Sequence, residues 1–156
     1  MKPTYRLLLG GSGGATPLAD AALLILRILT GFAIAYFHGL AKVPPSPGFI
    51  EGVAGLGFPF PIVFAWAAGI AELIGGVLLI VGLLTRPASL FLLFTMGVAF
   101  FVRHAADPFL EKEKAYVYGA VFLFFLLVGA GRYSLDHFLG HRAGAPTVDR
   151  FARQRL

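Results

Sequence analysis

IVFAWAAGIAELIGGVLLIVGLLT, residues 62–85, is apolar or small at every position but one. The exception is Glu72. The run is long enough to cross a bilayer as a helix, which takes roughly 20 residues at about 1.5 Å each. A carboxylate at that depth costs about 2.5–3.5 kcal/mol on insertion scales, so it faces protein, finds a partner and marks a pathway or site. The stretch therefore sets the class: an all-α integral membrane protein with a polar interior.

Three more apolar segments flank it: Leu18–Leu40, Pro87–Val102 and Ala115–Gly131. None shows the apolar–polar alternation of a barrel strand, and all are too long to be one. The expected architecture is a four-transmembrane-helix bundle. Residues 1–17 read as a flexible N-terminus, 18–138 as the membrane domain and 139–156 as a basic tail. Thr85-Arg86 forms a tight hairpin between the second and third helices, with Pro87 in the first turn of the third. Prolines 44, 45, 47, 59 and 61 break the connection between the first and second helices, and residues 49–56 between them are expected to form a short interfacial helix or lid.

Composition agrees. The 156 residues are 58% hydrophobic and 13% charged, with a mean hydropathy of +0.81; a soluble domain carries about twice that charge. Cysteine is absent, which excludes disulfides, thiolate metal sites and dithiol relays in this chain. The net charge of +5 is a topology signal and not a nucleic-acid footprint, because the basic residues sit in short loops and the tail. Lys2, Arg6, Arg86, Arg132, Arg142, Arg150, Arg153 and Arg155 fall on one side, and Lys42, Arg103, Lys112 and Lys114 on the other. Both termini are expected to be cytoplasmic and the chain multi-pass in the inner (plasma) membrane. Trp66, Tyr36, Tyr116 and Tyr118 fall near the outer interface and Tyr133 near the inner one. Residues 1–17 make a poor signal peptide, and Gly10–Gly14 lacks the Lys-Ser/Thr of a phosphate loop.

Helical spacing picks out the polar residues. Arg27, Gly31, Ala35, His38 and Lys42 form one stripe on the first helix; Ala65, Gly69, Glu72 and Gly76 form another on the second. The small residues allow helices to approach closely. His38, Lys42, Arg103 and His104 share an outer layer, with Glu72 deeper and reachable from His38 through a water. Glu72 and His38 are the candidates for proton handling. Lys42, Arg103 and His104 are the candidates for binding an anionic substrate or polarising a carbonyl. Arg27, Arg86 and Asp136 are assigned structural polar roles: Arg27 snorkels or pairs with Asp20, and Asp136-His137 lies solvated beyond the fourth helix. A metal site is disfavoured, since no two candidate ligands share a helix at i, i+3 or i+4 and Lys42 repels a cation.

Several of these residues form motifs. Arg27…Gly31-Phe32…Phe37-His38-Gly39…Lys42 resembles the first-helix motif of DoxX-type membrane proteins. Ala71-Glu72-Leu73-Ile74-Gly75-Gly76…Gly82-Leu83-Leu84-Thr85-Arg86 is similar to their second-helix motif. Met96, His104 and the closing Gly131-Arg132-Tyr133-Ser134-Leu135-Asp136 match as well. The resemblance covers residues 20–138. It implies a four-helix bundle and a link to redox chemistry, since relatives include the membrane subunit of a thiosulfate:quinone oxidoreductase.

The expected function is a membrane subunit of a quinone-linked oxidoreductase. Quinone is the expected cofactor, with no metal, haem or flavin motif in the sequence. Electrons then come from the substrate or from a soluble redox partner protein. The alternatives are a non-catalytic anchor or scaffold for a soluble redox enzyme, and a small-solute or lipid-binding carrier. The lipid bilayer is the first partner, nucleic acid is not one, and an oligomer is compatible with the sequence.

Overall fold

The computed structural model describes residues 16–142, and every regular element among them is helical. Lys2, Arg6, Gly10–Gly14, Arg150, Arg153 and Arg155 lie outside this range, as does most of the basic tail.

Helix α1, Pro17–Phe32, opens on Thr16, whose hydroxyl accepts from the Ala19 N–H at 3.2 Å, with Pro17 in the first turn. It runs on through a π-helical segment, Ala33–Gly39, and a 3-10 turn, Leu40–Lys42. Helix α2, Pro47–Gly55, is capped by Ser46, which accepts from the Phe49 N–H at 3.3 Å. Helix α3, Pro61–Val81, ends at Gly82, whose φ of 67° lets the chain leave through the left-handed region. Helix α4, Thr85–Val98, continues as a π segment, Ala99–Arg103. Helix α5 is Phe109–Val128 and α6 is Leu135–Arg142.

Three of these rods are long and apolar enough to cross a membrane: Pro17–Lys42, Pro61–Val81 and Thr85–Arg103. Two sequence boundaries need correction. The hairpin turn is Gly82–Leu84, and Thr85-Arg86 already belongs to α4. Helix α5 begins six residues before Ala115, so its first turns carry Glu111, Lys112, Glu113 and Lys114. These charges keep it below the hydropathy of a spanning helix, and its apolar part is residues 115–128.

Helix α3 packs between α1 and α4, and α4 packs along α5. The small-residue stripes are the reason α1 and α3 sit so close. A Cβ added at Gly31 would lie 2.7 Å from the Gly76 carbonyl oxygen, and one at Gly76 2.7 Å from that of Gly31. Leu79, Leu92, Phe122 and Phe125 fill the core between the other helices, while Phe124 turns outward.

The end of the molecule where α3 meets α4 is closed by the segment after α5. Arg27 is 1% exposed. Its guanidinium donates to the carbonyl oxygens of Ala130, Tyr133 (2.7 Å) and Ile80 (3.4 Å). Asp136 is 2% exposed and accepts from the N–H groups of Leu84 (2.7 Å) and Thr85 (2.9 Å). It thus caps α4 where the Asp charge meets the positive end of the helix dipole, and holds Leu84 at a φ of 49°. Both findings correct the sequence reading. Arg27 does not snorkel, because three carbonyls of the closing turns receive it inside. Asp136 is not solvated, because the chain folds back to bring it to an uncapped helix. Asp20 accepts from the Arg132 N–H at 3.1 Å. Arg86 donates to the Leu127 carbonyl at 3.1 Å, tying α4 to α5.

Candidate functional site

At the opposite end the helices line a cavity of about 1040 Å³. Its walls come from α1, α2, α3, α4 and α5. All five proposed site residues, His38, Lys42, Glu72, Arg103 and His104, line it.

Glu72 stands on the small-residue face of α3 and is 2% exposed. Close approach of α1 places its partner. Gly69, one turn before Glu72, has no side chain, and a Cβ there would meet the Lys42 carbonyl oxygen at 2.8 Å. Gly39 likewise lets α1 rest on the Leu73 backbone. The Lys42 ammonium then reaches both carboxylate oxygens at 2.6 Å. It also lies 5.5 Å from the ring centroid of Phe49 on α2, a cation–π contact that ties the short helix to the site. The direct partner of Glu72 is thus Lys42, whereas His38 makes no direct hydrogen bond to it. Lys42 keeps 27% of its side chain exposed, so one side of the ammonium borders the cavity.

His38 lies against Tyr118 of α5, ring centroids 5.7 Å apart and edge to face. His104 pairs with Asp107 at 2.7 Å in the α4–α5 connection. Arg103 is exposed at the rim. Both π segments end at the cavity: Ala33–Gly39 carries His38, and Ala99–Arg103 delivers Arg103 and His104. Their signature i→i+5 bonds include the Leu40 N–H to the Ala35 carbonyl and the His104 N–H to the Ala99 carbonyl (3.0 Å). A π turn widens the helix and resets the direction of the side chains after it, and such turns cluster at functional sites.

Sequence reasoning missed the polar lining residues Glu111, Lys114, Tyr118 and Thr95, and the aromatic Phe49. The signal for those on α5 was present: positions 111, 114, 115 and 118 follow i, i+3, i+4, i+7 on one helical face. Starting the last helix at Ala115 hid it. Tyr118 faces the cavity, because that side of α5 turns inward. Among the described residues no three His, Asp or Glu side chains converge as metal ligands.

The rest of the lining is apolar or small: Val53, Leu56, Phe58, Phe64, Ala67, Ala68, Ala71, Leu90, Phe91, Phe94, Met96 and Val98 among others. Such a space suits a molecule with one polar end. The polar groups there include three cations (Lys42, Arg103, Lys114) and two carboxylates (Glu72, Glu111).

Long apolar helices around a buried ion pair define a polytopic membrane protein. The chain belongs to the DoxX family, whose profile matches residues 22–105. An uncharacterised protein of Haemophilus influenzae is 36% identical over 123 residues, 74% of this chain and 88% of the relative. Inner membrane protein YphA of Escherichia coli is 32% identical over 133 residues, covering 80% and 92%. A Bacillus subtilis relative named "Putative oxidoreductase CatD" is 36% identical over 117 residues, covering 74% and 85%. No solved structure matches the chain.

Proposed function

We propose that this chain is the membrane subunit of a quinone-linked oxidoreductase and that the cavity is its quinone site. One observation carries the reading: a cluster of charged and titratable groups, among them the Lys42–Glu72 pair, shares one cavity with an otherwise apolar lining. A quinone has the matching shape, with two carbonyl oxygens on a flat ring and an apolar tail. The name of the Bacillus relative supports the redox assignment. Lys42, held by Glu72, offers an ammonium N–H to a carbonyl oxygen, while Arg103 and Lys114 raise the local concentration of an anionic reductant. His38 and His104 are placed to carry protons between the cavity and its rim. Two electrons come from that reductant or from a soluble redox partner.

In this reading α5 is the fourth span. Its 14 apolar residues cover about 21 Å, short of the roughly 30 Å hydrocarbon thickness, and Glu111–Lys114 sit at the headgroups, where such mismatch is absorbed. Helix α2 lies in the interface as a cover. The cavity opens on the outer face of the inner membrane, with both termini cytoplasmic, as the basic residues indicate. The test is mass spectrometry of the organic extract of purified protein. The reading expects quinone near one per chain, reduced in a Glu72→Gln variant. A quinone-free extract together with a co-purifying soluble redox enzyme would favour the scaffold instead.

A further inference from the structure

The cavity has two unlike ends. Its polar end is covered by α2, where Phe49 lies over Lys42 and Val53 is buried. Its other side runs between α3 and α4, and the wall residues there face outward too. Phe91 and Phe94 are 63% and 65% exposed, and Leu90 and Phe64 also line the cavity while remaining open. On the surface of a spanning helix such exposure means contact with acyl chains. The α3 side of this cleft is lined by Ala67, Ala68 and Ala71, with Phe64 at its end. Deeper, a Cβ added at Gly75 would lie 3.1 Å from Leu92 Cγ, so α3 and α4 are in close contact there.

We infer that the ligand enters from the lipid phase through the cleft between α3 and α4, and that its apolar tail stays in that cleft over the alanines. The site then selects a carbonyl-bearing ring with a prenyl or alkyl tail over the same ring without one. The inference rests on the quinone reading above and adds the route and the tail. Charge complementarity fixes the orientation: the Lys42 ammonium lies under Phe49 of the covering helix, and no charged residue lines the α3–α4 opening between Phe64 and Ala71 or between Leu90 and Ala99.

Calorimetric titration of the full chain in nanodiscs tests this with two probes, decyl-substituted and unsubstituted dimethoxy-methyl-benzoquinone. Ala67 is exposed at the opening, so Ala67→Phe narrows it without entering the core. Comparing each probe with itself between proteins cancels its partition into lipid. Ala67→Phe should raise the Kd of the decyl probe about tenfold and leave that of the unsubstituted probe within about twofold. Phe94→Ala, which removes an exposed wall and not a core contact, should act in the same direction more weakly. Equal effects on both probes, or none on either, in well-folded variants would overturn the tail's place in the cleft, and with it the ground for entry there, and leave the quinone reading standing. Failure of wild-type protein to bind either probe would overturn the quinone reading, and this inference with it.

Discussion

Replacing Lys42 by Met should destabilise the fold more than replacing Glu72 by Gln, and the two changes together should cost less than their sum. Glu72 is 2% exposed and both its oxygens are held by one ammonium at 2.6 Å. Removing the ammonium strands a buried carboxylate. Losing one partner of a buried pair costs about 3–5 kcal/mol. The adjoining cavity admits some relief, so the low end, about 3 kcal/mol or roughly a hundredfold in the unfolding constant, is the working value. In Glu72→Gln the amide oxygen still accepts, and Lys42, 27% exposed, still borders the cavity and Phe49. That loss should be about 1 kcal/mol. The double variant leaves no stranded charge, so the cycle should show a coupling of about 2 kcal/mol. Reversible unfolding in mixed micelles, followed by Trp66 fluorescence, measures all four proteins. A Lys42→Met cost below about 0.5 kcal/mol, or strict additivity, would refute a direct, buried pair.

Arg27→Lys should lose nearly as much stability as Arg27→Met, about 3 kcal/mol, because a point charge cannot serve three carbonyls at once; thermal unfolding in detergent compares them. Asp136→Ala should cost about 2 kcal/mol by leaving the Leu84 and Thr85 N–H groups without an acceptor, and Asp136→Asn about half of that. Gly76→Ala should cost about 1–3 kcal/mol, since its Cβ would strike the Gly31 backbone, whereas Gly52→Ala meets nothing within 4 Å and should gain up to about 1 kcal/mol. A phosphatase fused after residue 156 should be inactive outside the cytoplasmic membrane; activity there would invert the proposed orientation.

The class of the fold was legible because it depends on composition and period. A lone Glu in an apolar run, and Gly and Ala at four-residue spacing, are enough to say which face is buried. The stripes at Gly31/Ala35 and Ala65/Gly69/Gly76 meet as that spacing required. The gathering of His38, Lys42, Glu72, Arg103 and His104 at one end was also legible, since it needs only segment order and hairpin connections. What could not be read depends on local backbone and long-range closure. Nothing in AIAYFHG announces a π segment, so the pairing of Lys42 with Glu72 ahead of His38 was hidden. The roles of Arg27 and Asp136 need the chain to return after α5, over a sequence separation of more than 50 residues from Leu84 to Asp136. Once folded, the motif residues 82–86 and 131–136 turn out to be two halves of one lock around Arg27. The family resemblance thus records structure at the closed end as much as chemistry at the cavity.

The central claim is that the Lys42–Glu72 end of the cavity binds a quinone head. The Lys42→Met/Glu72→Gln double variant tests it most directly, because it removes the ammonium without stranding a charge, and binding can be judged apart from folding. Titration of decyl-benzoquinone into both proteins should show a Kd about 10- to 100-fold weaker for the double variant, the worth of a hydrogen bond to a charged group. A Kd within about twofold of wild type, in a variant shown to be folded at the titration temperature, would contradict the account.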